Sequence, residues 1–286
     1  MAVGANPTVG RRRLGGELRR LREEAGLTCD DVGEHLECSA SKISRIETGR
    51  RGAGTGDVRD LLDLYGVTDE AMCSALVTLA RQAKRKGWWH SYADVLSSEY
   101  STYIDLEAEA ASVRNYESLF VPGLLQTEEY ARAVISGSVP ESTSEQVERL
   151  VKVRMTRQPL LTREESPVRL WAIVDEAVLH RQVGGPEVMS RQLRHLAELA
   201  ALPHVTLQVV PWGSGAHPGM AGTFSILEFP EPTDQGVVYV DGIAGELYLE
   251  RPPEIRRCGI LFDHLRATAL SREQSRTLTA TVAGEA

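Results

Sequence analysis

Residues 18–51, LRRLREEAGLTCDDVGEHLECSASKISRIETGRR, decide the fold of the first third of the chain. Leu14, Leu18, Leu21 and Ala25 recur at helical spacing, and Gly26 ends that helix. Thr28 suits a helix N-cap, with Asp31 three residues on as a short version of the capping box. Val32 and Leu36 give this second helix an inner face, and Glu37-Cys38 make a tight turn. Ser39 caps a third helix that stops at Gly49.

The third helix has two faces at 100° per residue. Ile43 and Ile46 point into a core, whereas Ser41, Ser44, Arg45 and Thr48 point out, flanked by Lys42. Small side chains let a helix backbone enter the major groove, and Arg, Lys and Ser contact base edges or phosphates there. Arg50 and Arg51 follow directly and suit backbone phosphates. Two short helices joined by a tight turn, the second with this surface, predict a helix-turn-helix. The competing reading is a merely solvated polar face. Two more helices follow, one over Asp57–Tyr65 ending at Gly66, the other capped by Thr68 and running towards Gly87. The basic end of the last, RQAKRKG, suits a helix C-terminus and, secondarily, a phosphate.

The stretch resembles the five-helix domain of phage-repressor-type (xenobiotic-response-element) regulators at Leu21, Arg22, Leu27, Thr28, Val32, Leu36, Ser39, Ile43, Ser44, Ile46, Glu47 and Gly49. The resemblance implies a structural ion pair between Arg22 and Glu47. It also brings Thr28, Cys29, Ser39 and Ala40 into the DNA-facing set. The chain departs from the pattern where such domains carry glutamines (Cys29, Ala40), a mid-helix alanine (Gly33) and a turn glycine (Glu37). Two base-reading glutamines are therefore missing.

Against DNA binding stands the net charge of −8 over 286 residues. It is unevenly spread: residues 1–86 carry 15 basic and 13 acidic side chains (+2), and residues 87–286 carry 17 and 27 (−10). Screening confines phosphate attraction to about 8–10 Å, so local charge matters most. A hydrophobic content of 42% with 25% charged residues suits a soluble globular chain. It has no apolar run of about 18 residues and no apolar stretch after the first arginines, so neither a membrane span nor a secretory signal is expected. Cys29, Cys38, Cys73 and Cys258 form no C-x-x-C pair and lie at no metal-ligand spacing from His. The expectation is a cytoplasmic protein with reduced thiols, no metal and no cofactor.

Beyond Trp88-Trp89, expected to pack where the domains meet, helices and strands mix. SVRNYE, VRLWAIV, VTLQVVP, GTFSILEF, GVVYVD and GELYLE read as strands. Helices are expected after Thr127, over SEQVERLVKVRMTRQ with the stripe Val147, Leu150, Val151 and Met155, over GPEVMSRQLRHLAELAAL, and over PPEIRRCGILFDHLRATAL. The expected fold is an all-α five-helix helix-turn-helix domain followed by a mixed α+β domain. Its parts are a disordered arm (1–10), the DNA-binding domain (11–87), an α+β regulatory or partner-binding domain (88–275) and a tail (276–286).

No nucleophile elbow, P-loop or dinucleotide fingerprint is present, so no enzyme activity is expected. Asp175-Glu176 after a buried strand is better placed to cap a helix than to do acid–base work. The loop PWGSGAHPGMAG (211–222), with Trp212 and His217, is the most site-like segment and a candidate ligand loop. Segments across 88–275, among them GWWHSYADVL, LFVPGLLQTEEYARAVI, LWAIVDEAVLHRQVGGPEVMSRQL and LPHVTLQVVPWGSGAHPGMAGTFSILEF, resemble one domain family. It is the streptomycete, antitoxin-like domain of unknown function that follows a helix-turn-helix in actinobacterial regulators. That resemblance implies a small protein partner encoded nearby. The expected function is a DNA-binding transcriptional regulator, dimeric because one helix-turn-helix covers a half-site. Its alternative is a sequestering protein whose DNA binding is autoregulatory.

Overall fold

The computed structural model describes residues 9–49, 51–82, 87–139, 141–230, 236–242 and 245–285. The chain divides into two compact units, Met1–Ala93 with Ser97–Leu106, and Asp94–Leu96 with Glu107–Ala286.

The first unit contains α1 (Val9–Glu24), α2 (Cys29–His35), α3 (Ala40–Glu47), α4 (Thr55–Leu64) and α5 (Glu70–Gln82). Leu14, Leu18, Leu21, Val32, Ile43, Ile46, Val58, Leu61, Leu62, Val77 and Ala80 form one buried core. These are the apolar stripes of five amphipathic helices, which draw most of their stability from packing these stripes together. Ala25 is exposed, because α1 ends at Glu24 and Gly26 turns the chain at φ +72°. The cap of α5 is Asp69 and not Thr68: its Oδ1 accepts from the Ala71 and Met72 amides at 2.8 and 3.2 Å. Of the expected arm, Val9 and Gly10 open α1 and the rest lies outside the described residues, as do residues 83–86 of the basic helix end. Trp88 and Trp89 lie in a 3-10 turn (Trp88–Tyr92) with their rings edge-to-face at 5.8 Å, Trp88 37% exposed.

A helix absent from the sequence reading, α6 (Ser98–Glu109), leads from the first unit into the second. There follow β1 (Ser112–Glu117), α7 (Glu128–Ser138), α8 (Ser144–Arg157), β2 (Arg169–Asp175), α9 (Ala177–His180), α10 (Pro186–Leu199) and β3 (Val205–Val210). The chain continues through β4 (Phe224–Glu228), β5 (Val237–Val240), β6 (Leu247–Leu249), α11 (Pro252–Thr268) and α12 (Arg272–Glu285). The six strands form one mixed sheet in the order β3-β2-β1-β4-β5-β6. β1, β2 and β3 are parallel and β4, β5 and β6 add antiparallel. β2 and β3 are near-continuous apolar runs because both their faces are buried, whereas β1 carries Ser112, Arg114, Asn115 and Glu117. On one face Tyr116, Ile173, Val210, Phe224, Ile226 and Val238 pack with Phe262 and Leu265 of α11. The other face buries Val113, Ala172, Val174, Leu207 and Val209, together with the polar Asn115 and Ser225.

Residues 276–285, expected to be a tail, belong to α12, whose Ser275, Thr279, Val282 and Ala283 are buried. α12 and the turn before it close the β3 edge. Leu270 N–H donates to the Val209 carbonyl, Val209 N–H to Ser275 Oγ, and Arg272 to the Val205 carbonyl, all at 2.8–2.9 Å. The amphipathic period is blurred by threonines at 277, 279 and 281, which bond back to the preceding turn of their own helix. No described helix is long and apolar enough to cross a membrane.

Candidate nucleic-acid interface

Local caps set the angle between α2 and α3. Thr28 Oγ1 accepts from Asp31 N–H at 3.2 Å while Asp31 Oδ2 accepts from Thr28 N–H at 2.7 Å, completing a capping box. Ser39 Oγ accepts from Lys42 N–H at 3.2 Å at the head of α3. Between them the chain turns at Glu37, φ +50°, a conformation L side chains rarely adopt. Gly33 is required by the same turn. A Cβ there would lie 2.7 Å from the Cys38 carbonyl and 3.0 Å from the Ala40 amide. The alanine usual at this position in the resembling domains therefore does not fit this turn.

One face of α3 is locked down and the other is free. Ile43 and Ile46 are 1% and 2% exposed, and Glu47 is buried beside them. Arg22 grips Glu47 with two bonds, Nε to Oε1 at 2.6 Å and Nη2 to Oε2 at 3.0 Å, and gives Nη1 to the Leu27 carbonyl at 2.7 Å. The hydrogen bonds to Glu47 push the guanidinium's pKa further up, against the cost of burial. Gly15 lets α1 approach, since a Cβ would come within 2.5 Å of the Ile46 and Glu47 carbonyls.

Ser41, Ser44, Arg45 and Thr48 are exposed, as are Thr28, Ser39 and Arg51. Thr48 Oγ1 bonds back to the Ser44 carbonyl at 2.8 Å and Arg45 Nε to the Ser41 carbonyl at 3.1 Å, so α3 offers a low polar ridge. The Arg51 amide donates to the Arg45 carbonyl at 2.9 Å, which holds Arg51 at the end of that ridge. Arg50 lies outside the described residues. Ala40 is half-buried. Lys42 is tied to Asp57 Oδ1 of α4 at 3.0 Å, a contact between distant helices that α3 periodicity does not show. Cys29 turns inward: its thiol lies 3.8 Å from Glu47 Oε2, and burial raises its pKa. It belongs to the clasp under α3, not to the ridge. All four cysteines are free thiols.

The candidate ligand loop sits at the carboxyl end of the parallel strands. Trp212 is 59% exposed and stacks on His180 at 4.6 Å. Asp175 and Glu176 point apart, Asp175 Oδ1 accepting from Ala177 N–H and Glu176 Oε2 from Trp212 N–H. Sequence reasoning missed that the other oxygen of Asp175 lies 3.4 Å from His217 Nε2, joining two positions 42 residues apart. Gly219 rests on Tyr116, where a Cβ would fall 2.4 Å from the hydroxyl. Burial raises the pKa of that tyrosine, with the Asp175 charge adding to it.

Residues 13–75 match the family model described as a helix-turn-helix domain. Residues 100–280 match the model described as a domain of unknown function, DUF5753. No curated protein and no solved structure matches the chain. The second match covers more than half of the 286 residues, and the chain therefore belongs to the DUF5753 family, with a helix-turn-helix domain ahead of that domain.

Proposed function

We propose that the chain is a sequence-specific DNA-binding transcriptional regulator. The observation that carries the reading is the split of α3: Ile43, Ile46 and Glu47 are buried while Ser41, Ser44, Arg45 and Thr48 stand clear of the core. α3 enters the major groove as the recognition helix, Arg45 reads base edges, and Arg51 with Arg50 contacts phosphate. The protein binds as a dimer, each copy covering a half-site. The DUF5753 domain is the regulatory part, taking up a ligand or a small protein. An effector that favours the DNA-free form releases the operator by mass action. The net −10 of residues 87–286 favours, as a second reading, a basic protein partner held mainly by sequestration.

The test is fluorescence anisotropy of the full chain on its own upstream DNA across a salt series. Arg45→Ala is expected to weaken specific binding by about 1–3 kcal/mol with the fold intact. Unchanged affinity in a folded Arg45→Ala protein removes α3 as the reading element.

A further inference from the structure

Native proteins pair the great majority of their buried polar atoms, so a concentration of unpaired ones marks a place built for something else. Such a concentration lies at the carboxyl end of β1. Asn115 Oδ1, Glu117 Oε2 and Arg154 Nε are all buried and have no hydrogen-bond partner among the described residues. They carry complementary chemistry: two acceptors and a cationic donor.

Each is held in place by its other atoms. Asn115 Nδ2 donates to Ser225 Oγ at 2.9 Å and to Glu117 Oε1 at 3.3 Å. Arg154 of α8 gives Nη1 to Oε1 of the fully buried Gln126 at 3.0 Å, and Gln126 is fixed in turn by the Val121 carbonyl at 2.6 Å. The Arg154 charge is felt at both Glu117 and Asp241. Asn115 stands opposite Ser225, and Ser225 opposite Tyr239. Two residues further along each ladder brings Glu117 and Asp241 to the same strand end, and the Asp241 charge is felt at Glu117. Asp241 is exposed and Glu117 only half-buried as a residue, so the cluster opens to solvent at this end. Tyr116 leaves the strand on the opposite face, so the His217 loop is separate.

We propose that this cluster binds a small zwitterion of the α-amino-acid type. The ammonium is held by Glu117, Asn115 Oδ1 and Asp241, and the carboxylate by Arg154 Nε. A lone cation would meet Arg154 and a lone anion would meet two carboxyl groups, whereas a zwitterion satisfies both signs at once. In the free protein, burial pushes the Glu117 carboxyl up to about 8, against the Asn115 bond and the Arg154 charge. The groups facing it are Arg154 from α8, Asp241 beyond β5 and Tyr130 from α7. An arriving ammonium favours the ionised carboxylate, so binding near neutral pH releases the Glu117 proton to buffer.

The test is calorimetry of the full chain with each of the common α-amino acids, up to about 10 mM, in two buffers of different ionisation enthalpy. The expected result is that at least one binds and releases most of a proton, and that its N-acetyl and methyl-ester derivatives do not bind. Glu117→Gln, checked as folded by circular dichroism, is expected to weaken binding about tenfold or more and to abolish the proton release. Asp241→Asn, at an exposed position and likewise checked as folded by circular dichroism, is expected to weaken it severalfold. Binding by no amino acid, equal binding of the blocked derivatives, or unaltered binding by both variants overturns the proposal. No DNA is present in these titrations, so their failure leaves the DNA reading untouched.

Discussion

Arg22 with Glu47 in the first unit and Arg157 with Glu107 in the second solve one problem at two chain separations. Both are buried and two-pronged; Arg157 gives Nε to Glu107 Oε2 and Nη2 to Oε1, each at 2.7 Å, with side chains 5% and 1% exposed. Each fastens a helix to another across a core that cannot tolerate a lone charge. Their surroundings differ. The first clasp spans 25 residues and lies under the ridge of α3. The second spans 50 residues, joins α6 to α8, and lies on the helix that also carries Arg154. A buried pair is a weak net stabiliser, because desolvation offsets the attraction, but breaking one strands its partner. One clasp therefore sets the pose of a reading helix, and the other the pose of a helix that borders unpaired polar atoms.

The largest expected effect is on those clasps. Arg157→Ala and Arg22→Ala should each cost about 3–5 kcal/mol in urea unfolding followed separately in the two units. The apolar double replacement Arg157→Met with Glu107→Leu should recover most of the loss. A cost below about 1 kcal/mol for either single variant would break the equivalence drawn between them.

Next comes pH. With its ordinary value at 4.5 and its folded value at about 8, the Glu117 carboxyl keeps a proton in the native state that the unfolded chain gives up. Its contribution is therefore fully present below about pH 4.5 and is lost as pH rises towards 8, a few kcal/mol at most. Glu117→Gln should flatten the decline, gaining on the wild type at alkaline pH and not at acidic pH. Parallel pH–stability curves for the two proteins would sink the assignment. The clasp carboxylates should show no such gain on neutralisation, which sharpens the contrast between a paired and an unpaired buried acid.

Smaller effects belong to the α2–α3 turn. Gly33→Ala should cost about 1–3 kcal/mol through the clash with the Cys38 carbonyl, shown by a lowered denaturation midpoint. Glu37→Gly should raise stability by up to about 1 kcal/mol, since glycine adopts φ +50° without strain. A destabilised Glu37→Gly would mean that the side chain does more than sit in the turn.

The first unit was largely legible because its signals are short-range. Thr28 and Asp31 cap within one turn, Ile43 and Ile46 mark a face, and the Arg22–Glu47 pair follows from the resemblance. Cys29 was misplaced because residues flanking a cap can turn either way, and only the core shows which. In the second unit most strands stood out as apolar runs, but their order did not, since nothing in the mostly polar SVRNYE says that GTFSILEF will pair with it. Glu107 and Arg157 carry no motif, and neither do Glu117 and Arg154, whose meeting depends on the α8 crossover. α12 escaped because its buried face is made of Ser275, Thr279 and Ala283, residues that resemble a polar tail.

That helix has a consequence in time. During synthesis β1, β2 and β3 are complete long before residues 270–285 exist. Until those residues are made, the β3 edge presents the Val205 and Val209 carbonyls and the Val209 amide to any neighbouring chain. The sheet is therefore sealed late, and the interval before sealing is when a chaperone, or another nascent copy, has access to that edge.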